Sequence, residues 1–181
     1  MISNLAPFER FQGRRFIILS AVFVLYTAWF VLIGPFSKLQ GLAEGIPLQE
    51  ELFYSGTYAV GVFEPLNAQQ KYALYKAYIF DVPYMILQAL VFEAAIVFGL
   101  KTTHKANTKW ALCLILPILF LLFDFLEDSF LALTLATRSV SFGTLAGIFT
   151  FLKFSVFIPA VCISIGWLVA GFISKVRKKP S

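Results

Sequence analysis

Apolar residues along this chain do not recur every three or four positions, as on a half-buried helix. They run on nearly unbroken over four stretches, residues 16–33, 78–100, 110–136 and 146–173. Each is about as long as, or longer than, the roughly 18 to 20 residues that carry a helix across a ~30 Å hydrocarbon core. The pattern predicts an all-α membrane protein, a four-transmembrane-helix bundle forming a single membrane domain over residues 1–181. Arg14 and Arg15 precede the first stretch as they would a secretory signal. Its apolar run is longer than a signal core, and GPFSKL follows in place of a small-x-small cleavage site, so a retained helix is predicted.

Between the second and third stretches lies KTTHKANTK, and between the third and fourth RSVSFGTL. Links this short make the flanking helices antiparallel neighbours. The first connection, residues 34–77, is longer, and its IPLQEELFYSGTYAVGVF sets Leu48, Leu52, Phe53, Tyr58 and Phe63 among polar residues. A structured outer loop is predicted there, with short helical pieces on the membrane or over the bundle mouth. Asn67 is placed to N-cap a helix that runs through AQQKYALYKAY into the second span. Pro83, Pro117 and Pro159 predict packing kinks.

Composition agrees with the pattern: 59% of residues are hydrophobic and only 14% charged, against about half and a quarter in soluble domains. Lys and Arg outside the spans divide unevenly. One side collects Arg10, Arg14 and Arg15, then Lys101, Lys105 and Lys109, then Lys175, Arg177, Lys178 and Lys179; the other has Lys38, Lys71, Lys76 and Arg138. By the positive-inside rule both termini are cytoplasmic. The net charge of +5 then reports topology and attraction to anionic lipid, and with no basic, aromatic groove nucleic acid is not expected as a partner. Cys113 and Cys162 fall within spans, where they are expected as small buried hydrophobes without a disulfide. The single His104 lies in a loop, which excludes a histidine-based metal or haem site inside the membrane. The chain ends KVRKKPS, whose Lys178 and Lys179 have the spacing of a dilysine retrieval signal. An endoplasmic-reticulum address is therefore the alternative to the favoured bacterial inner membrane.

The third stretch contains LLFDFLEDSFLAL, and on a helix Asp124, Glu127 and Asp128 share one face. A charge near mid-bilayer costs from ~2.5 to over ~10 kcal/mol, so such residues face a bundle interior or a wet cavity. Counting inward from the span ends puts Lys153 level with Asp128, and Asp81 about one turn nearer the outer surface. Gln88, seven residues beyond Asp81 on nearly the same face, extends the seam inward. Four acids with one lysine leave at least one acid to carry a proton. Lys153 at that height argues against a metal cage, and neither a metal nor a cofactor is expected. Glu93 is rotated roughly 120° from Asp81 at 100° per residue; a partner subunit or the Ser164 hydroxyl is within its range.

There is no HExxH, Gly-rich phosphate loop, GxSxG or cysteine pair. Three function classes remain. The first binds or transports a small amphipathic or cationic ligand, or protons, at the buried carboxylate and lysine site. The second is a membrane enzyme using the carboxylates as acid and base on a lipidic substrate. The third is a non-catalytic subunit of a membrane protein partner, its polar cluster structural. All three have the lipid bilayer as their surroundings.

YKAYIFDVPYMILQAL, LFDFLEDSFLALTLA and FTFLKFSVF together resemble a family of small four-helix membrane proteins found widely in bacteria. Its members show an acid followed by an aromatic-proline-tyrosine group in the second helix, Asp-x-x-Glu-Asn in the third and a lysine early in the fourth. The resemblance covers about residues 16–173 and implies site positions at Asp81, Pro83 and Tyr84, at Asp124 and Glu127, and at Lys153. Asp128 stands where the family pattern has Asn, which adds an acid. The family supports this architecture and choice of site without supplying an activity.

Overall fold

A computed structural model describes residues 13–37, 51–105 and 109–177. The expectations placed on Arg10, Lys38, Leu48, Lys178 and Lys179 lie outside these residues. Every regular element among the described residues is helical: α1 (Arg14–Leu32), α2 (Gly56–Phe63), α3 (Ala68–Thr102), a 3-10 segment (Lys109–Leu114), α4 (Ile115–Thr137) and α5 (Val140–Arg177). The helices containing α1, α3, α4 and α5 are each long and apolar enough to cross a membrane.

Helix α3 begins where the sequence predicts. The Asn67 side chain accepts from the Gln70 amide at 2.9 Å while Gln70 Oε1 accepts from the Asn67 amide at 3.0 Å. This reciprocal capping box satisfies two amides that the first turn leaves open. Pro83 and Pro159 lie inside α3 and α5. The chain reaches α4 as a 3-10 segment that runs directly into it, so Pro117 falls in the first α-turn, just past the change from 3-10 to α geometry.

The α4–α5 link is shorter than the sequence implies. Only Arg138 and Ser139 are non-helical, because Arg138 takes the left-handed conformation (φ 56°) and closes α4 onto the Thr134 carbonyl at 2.8 Å. This fixes the register of the hairpin. The facing pairs Phe120–Phe157 and Glu127–Thr150 stand at equal distances along the chain from that link, and so do Asp124 and Lys153. Lys153 is therefore level with Asp124, one turn away from the Asp128 level that counting from longer loop ends gives.

Helix α5 is the axis of the bundle, packing on α4, α3 and α2. Two close crossings pin it. Near its start, a side chain at Gly147 would collide with the Tyr54 carbonyl; near its end, one at Gly99 of α3 would strike the backbone of Trp167. Backbones approach this closely only where a Cβ is missing. Around the first crossing Tyr54, Phe63, Leu74, Tyr78 and Leu131 form one apolar core, and near the second Ile96, Val97, Leu100 and Leu114 form another. Helix α2, capped by Ser55 on the Tyr58 amide at 3.1 Å, thus sits over one end of the bundle, with Leu52, Phe53 and Tyr58 exposed and Phe63 buried.

Helix α1 stands apart. Only 6% of its apolar window is buried within the protein, against 50% for α3, and it packs chiefly on α3. Its attachment is aromatic: Phe23 and Phe30 stack on Tyr84 at 5.6 and 5.8 Å. The Tyr26 hydroxyl donates to the Phe80 carbonyl at 2.7 Å, next to the Ile79 carbonyl that Pro83 deprives of its helical donor. Cys113 is half-buried and Cys162 exposed, so Cys162 is not the enclosed small hydrophobe expected; its position on α5 faces away from the other helices.

Candidate functional site

Between the two apolar cores the three central helices bring together the polar residues singled out in the sequence. Lys153 of α5 pairs with Asp124 at 3.0 Å and, more closely still, with Glu127, both on α4. Asp81 of α3 stands against Asp128 of α4, carboxyl beside carboxyl. The four acids thus divide into two pairs: one neutralises the lysine, and the other sets two carboxyls against each other, an arrangement that becomes a hydrogen bond when one of them carries a proton. The spacing that puts Asp124, Glu127 and Asp128 on one face also turns Asp128 slightly toward α3 and Glu127 toward α5.

A second division runs by depth. Asp81, Asp124, Gln88 and Lys153 line a cleft of about 280 Å³. Glu127 and Asp128 lie behind it, fully or almost fully enclosed. Aromatic rings supply the walls: Phe30 and Phe36 on the α1 side, Tyr84 on α3, Phe120 on α4, and Phe154 and Phe157 on α5. Phe120 and Phe157 are in contact at 5.0 Å, and the Lys153 ammonium lies 5.3 Å from the Phe154 ring centre. Four carboxyl groups face a single ammonium here, so the acids outnumber the cation even with one proton shared between two of them.

Sequence reasoning missed two residues of the buried layer. Thr150 Oγ1 lies 2.7 Å from Glu127 Oε1, 3.0 Å from the Ala146 carbonyl and 3.1 Å from the Tyr54 hydroxyl. Thr150 has one proton to give. Spent on the carboxylate, it leaves Tyr54 as the donor to Thr150, so a chain of hydroxyls runs from the loop before α2 into the cluster. Burial, and then the nearby Glu127 carboxylate, push the Tyr54 hydroxyl well above its usual range, which keeps that donor protonated. Thr150 sits one helical turn before Lys153, and this i, i+3 spacing was the available signal; nothing local marked Tyr54, which arrives through the Gly147 crossing.

Glu93 stays outside the site. Only 2% of its surface is exposed, and among the described residues neither carboxyl oxygen has a hydrogen-bond partner. The expected link to Ser164 does not form, because that hydroxyl donates to the Ala160 carbonyl at 2.7 Å. Among the described residues no group of three histidine, cysteine or acidic side chains is arranged to hold a metal. Compared with protein-family models, curated proteins and solved structures, the chain matches none, and the site therefore stands on its own geometry.

Proposed function

We propose that the cleft binds a small amphipathic cation, and that the protein is a multi-pass membrane protein with both termini in the cytoplasm, in a bacterial inner membrane. The observation that carries this reading is the split of the polar cluster into a layer lining the cleft and a layer behind it. A purely structural network has no need of a cavity, whereas small-molecule sites are concave, mostly apolar and furnished with a few convergent polar groups; at about 280 Å³ the cleft stands just under the lower end of their ~300–1,000 Å³ range and suits a small ligand. Phenyl walls and excess negative charge suit an organic ammonium ion, which gains cation–π attraction on the rings and Coulombic attraction at the floor. Asp81 and Asp124 contact the ligand, Lys153 holds Asp124 and Glu127 in register, and Gln88 closes the inner end.

Calorimetric titration of the detergent-purified protein with benzyltrimethylammonium tests this. Saturable binding that Asp124→Asn weakens by tenfold or more supports the reading; binding that is absent, or unchanged in Asp124→Asn, overturns it. One observation favours a second reading, an acid–base enzyme on a lipidic substrate: the Asp81–Asp128 pair offers a proton donor and Asp124 a carboxylate beside the same cleft.

A further inference from the structure

Glu93 is a buried acid that the cleft does not use. It lies five residues beyond Gln88 on α3, about 7.5 Å along the helix axis, toward the end of the bundle that bears Lys101, Lys109 and Lys175. Only 2% of its surface is exposed, and among the described residues no donor reaches either carboxyl oxygen. Ser164, the polar side chain of α5 in this region, is committed to the Ala160 carbonyl and lies 3.5 Å from that of Phe92.

A carboxylate enclosed without a partner is too costly to persist, so the group is held as a neutral acid. A neutral acid that makes no hydrogen bond does not fix the register of any helix either, and leucine would fill the same space without the penalty. What glutamic acid has that leucine lacks is an exchangeable proton. Along α3 the polar positions then form a series across the membrane: Asp81 with its shared proton, Gln88 at the floor of the cleft, and Glu93 in the opposite half.

We propose that Glu93 is a proton-relay residue that couples cation binding in the cleft to proton movement toward the basic end of the bundle. The inference rests on the cleft reading and adds a direction to it. As a cation enters, the Asp81–Asp128 pair gives up its one proton. Glu93 passes its own proton toward the basic end and is reloaded by the one from the pair, so the carboxyl finishes as it started and one proton has moved for one cation bound. The amide of Gln88 offers a polar partner for water bridging toward Glu93.

The test uses the full chain in liposomes with an imposed pH gradient and labelled benzyltrimethylammonium, a permanent cation that crosses lipid poorly. Wild type is expected to accumulate the cation in response to the gradient. Glu93→Gln is expected to bind it in detergent within twofold of wild type yet lose at least nine-tenths of the gradient-driven uptake, and Glu93→Asp to retain part of it. Binding by Glu93→Gln also certifies its fold. Normal uptake by Glu93→Gln, or binding by wild type without gradient-driven uptake, overturns the coupling and leaves the cleft reading intact. Loss of binding in Glu93→Gln while Glu93→Asp binds normally makes Glu93 part of the cleft and overturns its role as a separate relay. No binding by wild type overturns the cleft reading and the coupling with it.

Discussion

The cluster and Glu93 are both acidic groups enclosed within apolar helices, and they are treated in opposite ways. Glu127 has Lys153 and Thr150 around it, Asp124 has Lys153, and Asp81 has Asp128. Among the described residues Glu93 has enclosure alone. Burial by itself therefore does not reveal the role of a charge in this bundle; the partners do. Where they are present the group is bound into the packing, and removing one damages its neighbours. Where they are missing the group costs stability, and its retention calls for another explanation.

Lys153→Met separates the two regions most strongly. It strips the counter-ion from Asp124 and Glu127 together, and breaking a buried pair in this way costs about 3–5 kcal/mol. Thermal unfolding in detergent should show a large drop in Tm. Adding Asp124→Asn and Glu127→Gln to the same chain should restore most of the loss, because no charge is then left stranded. A triple variant as unstable as the single one would mean that the lysine stem, not its charge, holds the helices.

Glu93→Leu should act in the opposite direction. It removes an unsatisfied buried polar group and breaks no hydrogen bond, so stability should rise by about 1–3 kcal/mol. A fall in Tm of similar size would show that the carboxyl has a partner after all and would erase the contrast with the cluster.

The same contrast marks what could be read from the chain. Four helices long and apolar enough to cross a membrane, the N-cap at Asn67 and the meeting of Asp81, Asp124, Glu127, Asp128 and Lys153 follow from hydropathy, capping chemistry and helical periodicity, all of which are local. The height of Lys153 was misread by a turn because it depends on the length of the α4–α5 link, and the left-handed Arg138 reduces that link to two residues. The division of the cluster into cleft and backing, and the arrival of Tyr54, depend on how closely backbones cross at Gly147. That is a property of pairs of elements, and no single segment carries it. Glu93 was visible as an anomaly, but its lack of partners became legible only once Ser164 was seen bonded to its own helix.

The smallest expected effect probes the outer edge of the cluster, where the hydroxyl chain meets the loop before α2. Thr150→Val and Tyr54→Phe each remove one link between that loop and Glu127, at about 1 kcal/mol apiece. The two losses should not add, since cutting the chain at either point disconnects the same carboxylate. Tyr54 also carries a pH signature. Its hydroxyl holds its proton in the fold at pH values where an unfolded tyrosine, with an ordinary value near ~10, loses it. The stability this contributes is complete below the unfolded value and is lost as the pH rises from there toward the raised folded one, because over that window the unfolded chain binds fewer protons than the folded one. Tyr54→Phe should flatten that part of the alkaline decline in a Tm series, and an unchanged slope would show that the hydroxyl is as free to ionise in the fold as out of it. Glu93→Leu lies far from this edge and should leave the Tyr54 contribution untouched, so the partnered and unpartnered acids remain separable in a single set of melts.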